Sequence, residues 1–247
     1  MATRLAESLM RYGKFELDDI GLRYLDWWKN GAFDTGPVAA QVLELVDSGI
    51  SFADASETVH AETAGFTAGS NPAHRISPVA MLHALPDSEL PQVAKAEADL
   101  THRHPLAGDV SAAVACLCRA LIRGHDWPAA CNEARNGRMQ ETIHALEDQS
   151  LDRLKRGGFA PDALAAAVHF VQQGDCFGDA LADALQFAGP ANYCPVLVGA
   201  IGGARWGASA IPSDATLHLG ELRSFVEDLA LELAKPWGTM DEPHDMV

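Results

Sequence analysis

Residues 196–207 read VLVGAIGGARWG, a segment that is apolar on every side and contains four glycines. Each glycine weakens an isolated helix by about 1 kcal/mol relative to alanine. Four of them in one apolar segment indicate positions where neighbouring helices approach closely. We therefore predict that this segment is a central, buried, Gly/Ala-rich helix around which the rest of the chain packs.

Helical periodicity extends outward from this segment in both directions. Upstream, apolar residues from Asp109 onward share one helix face. Downstream, a last helix ends at Pro236 and carries an apolar face made of Leu222, Phe225, Val226, Leu229 and Leu233. Further helices are predicted near residues 78–85 and at 127–135, 139–155, 161–172 and 177–187, and a loop is predicted at 64–74. No segment alternates as a β-strand does. The sequence predicts an all-α fold with a single domain at residues 1–236 and a flexible tail at 237–247.

The acidic composition limits the range of partners. The 247 residues carry a net charge of −16, and the pI is near 4.9. Such a charge repels nucleic-acid phosphates and anionic lipid headgroups, so we expect neither kind of partner. We identify no signal peptide, and no apolar run of the roughly 20 residues that span a bilayer. The odd number of cysteines, 5, has no framework spacing and favours reduced thiols in the cytoplasm.

The widespread catalytic motifs are missing. The chain has no Gly-x-Ser-x-Gly elbow, no phosphate-binding loop and no His-Glu-x-x-His. His102-x-His104 lacks the further ligands of a zinc site, so an ordinary hydrogen-bonded histidine is the simpler interpretation. Asp18 and Asp19 begin a predicted helix and are interpreted as acids that complement its macrodipole rather than as a metal pair.

Five groups of segments in a fixed order give a more specific signal. They are Leu5–Leu9 with Arg23-Tyr24-Leu25-Asp26-Trp27 and Gly31–Gly36; Asn71-Pro72-Ala73-His74-Arg75-Ile76-Ser77-Pro78; Leu100-Thr101-His102 with Pro105; Gly158-Phe159 with Leu164; and Gly199–Gly207 with Ile211-Pro212. In this order they resemble the ADP-ribosylglycohydrolase family. Its pattern runs from an Arg-Tyr-x-x-Trp helix and a Gly-x-x-Asp-x-Gly turn through an Asn-Gly-x-Met-Arg loop and a Leu-Thr-His segment to a Gly/Ala-rich helix followed by Ile-Pro.

The resemblance implies an all-helical protein that cleaves the glycosidic bond between ADP-ribose and a protein side chain or a small molecule. In the family two divalent ions, usually Mg²⁺, are held by carboxylates, the ligands that hard cations prefer. The resemblance also implies candidate ADP-ribose-binding residues, which are Asn71, Arg75, Thr101, His102 and Phe159.

The sequence departs from the family pattern at both metal-binding motifs. The family's Thr-Asp-Asp-Thr motif would precede Met1, so we expect the chain to lack that opening segment unless its true start lies upstream. In the second motif, Gly-Gly-Asp-Thr-Asp-Thr, the aspartates are replaced by Pro190 and Asn192. Neither replacement has an anionic oxygen, so we expect no bound metal, no cofactor and no catalytic residue. In the substrate loop, Pro72 replaces a glycine and His74 a methionine.

Three functions remain open from the sequence. The first is a degenerate family member that does not hydrolyse ADP-ribosyl bonds but binds ADP-ribose or an ADP-ribosylated protein. The second is an active hydrolase that takes its carboxylates from elsewhere, for instance Glu62, Asp179 or Asp183, or from a longer N-terminus. The third is a non-catalytic interaction protein that uses exposed tryptophans, for which the candidates are Trp27, Trp28 and Trp206. We expect a monomer or weak homo-oligomer in each case.

Overall fold

The computed structural model describes residues 1–32, 34–147 and 150–237. Within these ranges the chain forms α-helices, a few short 3-10 turns and no β-strand. The helices are α1 (Ala2–Tyr12), α2 (Leu17–Lys29), α3 (Pro37–Asp47), α4 (Phe52–Glu62), α5 (Asn71–Arg75), α6 (Ser77–Met81), α7 (Leu90–Asp99), α8 (Pro105–Ile122), α9 (Trp127–Arg135), α10 (Gln140–Ala145), α11 (Ala160–Gln173), α12 (Phe177–Ala188), α13 (Tyr193–Trp206) and α14 (Glu221–Ala234). The predicted all-α fold is confirmed.

Local sequence signals set several helix ends. Ser51 caps α4 because its hydroxyl oxygen accepts a hydrogen bond from the backbone N–H of Asp54 at 3.1 Å. Asp126 caps α9 in the same way, through the N–H of Ala129 at 2.8 Å. Pro37 occupies the first turn of α3, where its missing N–H is not needed. Gly13 ends α1 with a φ of 66°, a conformation that favours glycine.

Helix α8 forms the centre of the bundle. It contacts α5, α6, α7, α9, α10, α11 and α13. It begins at Pro105, one turn earlier than predicted, and it is buried on nearly every side rather than along one face. By length and composition α8 could cross a membrane, which the sequence analysis did not anticipate, but 83% of it is buried within the fold. That burial is typical of a core helix.

Helix α13 is the Gly/Ala-rich helix predicted at residues 196–207. It packs against α8, α11 and α12 and buries Leu197, Val198 and Ile201, so the helix is confirmed, while α8 rather than α13 occupies the centre of the bundle. The prediction of close approach at all four glycines is wrong. A Cβ on Gly202 would lie 3.3 Å from the ring of Phe177 on α12, whereas a Cβ on Gly199 or Gly203 would meet nothing within 4 Å. One face of α13 is therefore open.

Other expectations for individual helices were wrong. The helix predicted at 139–155 ends at Ala145 and is followed by a 3-10 turn at 151–153, because the apolar residue Leu151 is exposed and has no surface to pack on. Helix α6 is shorter than the predicted 78–85, α7 was not predicted, and α5 forms within the predicted loop. On α14 only Leu229 and Leu233 are buried, while Leu222, Phe225 and Val226 are exposed.

The C-terminal segment packs onto the bundle as far as Trp237. Its indole N–H donates a hydrogen bond to the carbonyl oxygen of Met81 at 2.7 Å, and its ring meets that of His83 edge-on at 5.0 Å. Residues 238–247 lie outside the described residues, so the flexible tail stays a prediction.

Candidate functional site

Four segments from distant parts of the chain meet at one end of the bundle. We call residues 34–36, 68–71, 158–159 and 192–193 the cleft loops. The backbone N–H of Ser70 donates to the carbonyl of Gly158 at 2.9 Å, and Ala160 donates to Ala68 at 2.9 Å. A Cβ on Gly158 would lie 2.8 Å from the ring of Tyr193, so only glycine permits this approach. The structure thus brings together segments that the sequence analysis could only place in order.

Asp34, which the sequence patterns do not single out, also lies in this cleft. The side-chain N–H of Asn192 donates to Asp34 Oδ2 at 3.3 Å, although 158 residues separate the two. Asn192 is the N-cap residue of α13 but makes no capping hydrogen bond. Its amide is therefore used to connect the first cleft loop to the last. The available signal was the position of Asp34 in the Gly-x-x-Asp-x-Gly turn.

Asn71 holds the first cleft loop in place. Its side-chain N–H donates to the carbonyl oxygen of Thr35 at 3.0 Å. Gly36 has a φ of 69°, and a Cβ there would lie 2.5 Å from Asn71 Nδ2, so glycine is required for this contact. Asn71 thus lies in the cleft, where its side chain positions the turn that carries Asp34, and its contact with ADP-ribose stays a prediction.

Arg75, Thr101 and His102 form a buried network rather than a ligand-facing surface. Arg75 Nε donates to Glu97 Oε1 at 2.5 Å, and Tyr24 donates to the same oxygen at 2.6 Å. Arg75 Nη2 also donates to Thr101 Oγ1 at 2.9 Å, which is 2.8 Å from His102 Nδ1. All five side chains are at most 3% exposed. Partners within the fold use the polar atoms of Arg75 and Thr101, which gives this network a structural role, and the expectation that these three residues bind ADP-ribose stays a prediction.

Two histidines behind the cleft are held uncharged. Burial lowers the pKa of His102 to about 3, and the charge of Arg75 adds to the effect. Burial also lowers the pKa of His74 to about 4, against the opposing influence of the Tyr193 backbone and Asp34. The Nε2 of His74 is buried without a hydrogen-bond partner among the described residues. His74, which stands where the family pattern has a methionine, thus places a neutral polar side chain behind the cleft.

A cavity of about 500 Å³ opens beside the cleft loops. Its lining includes Gly65, Phe66, Gly69, His104 and Phe159. The ring of Phe66 is 84% exposed and that of Phe159 is 42% exposed. Of the predicted ligand-binding side chains, Phe159 is the one that presents an open surface to this cavity.

Few side chains in the cleft could coordinate a metal ion. Pro190 and Asn192 are both exposed beside the cleft, and Asp34 is the carboxylate hydrogen-bonded there. The described ranges contain no group of three or more His, Cys, Asp or Glu side chains placed to hold a metal ion. Asp179, considered above as an alternative carboxylate, lies in the first turn of α12. That helix ends at Ala188, shortly before Asn192, and roughly 13 Å of helix separate Asp179 from this end.

The similarity to known proteins extends over nearly the whole chain. A family model described as ADP-ribosylglycohydrolase matches residues 1–242. The chain belongs to the ADP-ribosylglycohydrolase family. It is 25% identical over 216 residues to the ADP-ribosyl-[dinitrogen reductase] glycohydrolase of Rhodospirillum rubrum, a match that covers 86% of this chain and 69% of that protein.

Two further comparisons agree with this assignment. The chain is 24% identical over 228 residues to the ADP-ribosylarginine hydrolase Tri1 of Pseudomonas putida (strain GB-1), and the match covers 87% of this chain but 59% of that relative. A solved structure titled ADP-ribosylglycohydrolase-related protein complex superposes with a TM-score of 0.76 and 27% identity, over 95% of this chain and 78% of the other. The family resemblance read from the five ordered groups of segments is confirmed.

Proposed function

We propose that this family member binds ADP-ribose, either free or attached to a protein, and does not hydrolyse ADP-ribosyl bonds by metal-dependent catalysis. The observation that supports this most directly is the hydrogen bond from Asn192 to Asp34. It places an amide N–H beside the carboxylate, at a position where the family pattern has an aspartate.

The residues of the cleft do not fit a pair of divalent cations. A Mg²⁺ ion requires near-octahedral oxygen ligands, and two neighbouring ions need several carboxylates to compensate their charge. Here Asp34 is one carboxylate, Asn192 is neutral, and Pro190 has no side-chain donor. Because a carboxylate only accepts hydrogen bonds, the amide of Asn192 must turn its N–H₂ group toward Asp34, and that group repels a cation.

The cavity beside the cleft loops has the character of a nucleotide site. Two phenylalanine rings, Phe66 and Phe159, line it together with glycines whose backbone approaches the cavity without intervening side chains. A nucleobase that stacks on an aromatic ring gains about 1–3 kcal/mol. The adenine of ADP-ribose therefore has a stacking surface that does not depend on metal.

Calorimetric titration of ADP-ribose in buffer that contains EDTA tests this proposal. We expect measurable binding, and we expect Phe159→Ala to weaken it by about 1–3 kcal/mol because the stacking surface is removed. Phe225→Ala is a matched control, since Phe225 is equally exposed, at 42%, but lies on α14. Absence of heat at millimolar ADP-ribose, or an equal effect of both substitutions, would contradict the proposal.

The second candidate function is an active hydrolase, which is favoured by the exposed Asp34 in the cleft. The discriminating assay is release of ADP-ribose from ADP-ribosylated arginine, with Mg²⁺ and with chelator. We expect no release above the uncatalysed rate in either condition. Release that the chelator abolishes would establish the hydrolase and overturn the proposal.

The remaining expectations concern compartment and partners. We propose a cytoplasmic protein that binds neither nucleic acid nor membranes, on the basis of its acidic charge and of five cysteines that are all free thiols. Trp27, Trp28 and Trp206 are all partly buried, which weakens the case for a surface built from them. A monomer or weak homo-oligomer is expected, and light scattering across a concentration series measures it.

A further inference from the structure

Helices α3 and α4 form a hairpin, residues 37–62, whose two ends both belong to the candidate site. The first cleft loop, residues 34–36, leads into α3, and residues 64–66, which line the cavity beside the cleft loops, follow α4. The proposed function assigns no role to this hairpin. Because the cavity wall that carries Phe66 continues directly from α4, a movement of the hairpin would displace that wall.

The hairpin packs mainly on itself. Val42, Ala55 and Val59 form a small buried cluster that is separate from the main core. Leu43 and Phe52 are the hairpin side chains that reach the main core, and α2 is the helix outside the pair that the hairpin contacts most. A segment with its own small core and a narrow attachment to the rest of the fold is the kind of unit that opens cooperatively.

Two exposed ion pairs supplement this attachment. Asp47 Oδ1, at the end of α3, lies 2.5 Å from Lys29 Nζ on α2, and Glu57 Oε2 on α4 lies 3.1 Å from Arg103 Nε. The hairpin has five carboxylates and no lysine or arginine, so both cations come from the rest of the fold. Exposed pairs of this kind stabilise weakly and are screened by salt, so they favour the closed position without fixing it.

The backbone at both ends of the hairpin can accommodate rotation. Gly36, which precedes α3, has a φ of 69°, a conformation that glycine adopts freely. Ala64, two residues after α4, has a φ of 51° and is alone among the described non-glycine residues in having a positive φ. Alanine is strained in this conformation, so the surrounding packing must maintain it. Opening of the hairpin would release that strain beside Gly65 and Phe66.

We propose that the α3–α4 hairpin is a gate for the cavity beside the cleft loops. It detaches from α2 as one unit, with Gly36 and Ala64 as hinges, and its opening moves the wall formed by Gly65 and Phe66. A ligand that stacks on Phe66 binds the closed form and therefore stabilises it. The identity of that ligand as ADP-ribose rests on the proposed function, whereas the opening of the hairpin does not.

Hydrogen exchange of the backbone amides, measured by mass spectrometry on the intact chain, tests the gate. We expect the amides of α3 and α4 to share one protection factor that is lower than that of α8. Glu57→Gln removes one ion pair and should lower this protection factor by about two- to fivefold in both helices, although Glu57 lies on α4 alone. Glu44→Gln is the matched control, because Glu44 is exposed on α3 and forms no ion pair among the described residues; it should leave both helices unchanged. Saturating ADP-ribose should raise the protection of α3 and α4 together.

The outcomes separate the gate from the proposed function. Different protection of α3 and α4, protection equal to that of α8, or an effect of Glu57→Gln confined to α4 would overturn the gate. If ADP-ribose binds but leaves the exchange of both helices unchanged, the gate is wrong and the proposed function stands. If the two helices open together and respond to Glu57→Gln while ADP-ribose does not bind, the gate stands and the proposed function is wrong.

Discussion

The substitution Glu97→Gln tests the energetic importance of the buried network behind the cleft. Glu97 is fully buried and accepts hydrogen bonds from Arg75 and Tyr24 through one oxygen, at 2.5 and 2.6 Å. Glutamine keeps the size and one acceptor oxygen but removes the charge. The guanidinium of Arg75, only 3% exposed, then remains buried without a counter-charge.

The expected cost follows from the burial of both partners. Removing one partner of a buried ion pair typically costs about 3–5 kcal/mol. For a chain of this length each kcal/mol lowers the melting temperature by about 2–4 °C, so Glu97→Gln should lower it by roughly 6–20 °C. Arg223 and Glu227 form an exposed pair at 2.7 Å on α14, and Glu227→Gln is the matched control with an expected change below about 0.5 kcal/mol.

Urea unfolding, followed by circular dichroism and tryptophan fluorescence, measures the free energy of unfolding of each variant. The denaturant slope should stay unchanged, so the loss should appear as a shift of the midpoint. The double variant Arg75→Gln/Glu97→Gln should lose less than the sum of the single losses, because it leaves no unpaired charge. A loss below about 1 kcal/mol for Glu97→Gln would refute the reasoning that this network holds the cleft together.

Three further predictions concern other parts of the fold. Asn192→Asp places a second carboxylate beside Asp34, so the chain should become less stable at neutral pH in the absence of metal. The variant should also gain a Mg²⁺-dependent rise in melting temperature that the wild-type chain lacks. Thermal scans with Mg²⁺ and with EDTA measure both effects. Burial lowers the pKa of His74 to about 4 in the folded chain, compared with about 6.5 in the unfolded chain. The contribution of the neutral ring to stability is therefore complete above about pH 6.5 and is lost as the pH falls toward 4. His74→Met should reduce the slope of the free energy of unfolding against pH, between about pH 6 and 5, by roughly 1.4 kcal/mol per pH unit. Gly199→Ala should stabilise the chain by about 0.5–1 kcal/mol because its Cβ meets nothing. Gly202→Ala should not, because its Cβ would lie 3.3 Å from Phe177 on α12. An equal effect of the two substitutions in urea unfolding would refute the packing of α13 on α12.

Much of the fold could be read from periodicity and capping. The bounds of α9 were predicted to the residue and those of α11 to within one residue, and the starts of α3 and α4 coincide with the local signals of Pro37 and Ser51. The errors occurred where tertiary packing decides. Leu222 and Leu151 have helical spacing but no surface to pack against, and α7, which contains few large apolar side chains, is held by its contact with α8.

The candidate site was predicted in outline but not in role. The order of segments pointed to Asn71 and Phe159, which both lie at the cleft in the structure, and their contact with ADP-ribose stays a prediction. It could not show that Arg75 turns inward, because its partner Glu97 lies 22 residues away on a helix that was not predicted. The contact between Asp34 and Asn192 spans 158 residues, and no pattern in a single sequence signals it.

The proposal that the cleft binds no pair of divalent cations depends most on the charges of Asp34 and Asn192. Anomalous diffraction from crystals soaked in millimolar Mn²⁺, a stand-in for Mg²⁺, tests it directly, because each bound ion gives a peak at its own position. The account predicts no ion within coordination distance of these two side chains. Two well-occupied ions beside Asn192 would contradict it and would make the chain a candidate metal-dependent hydrolase.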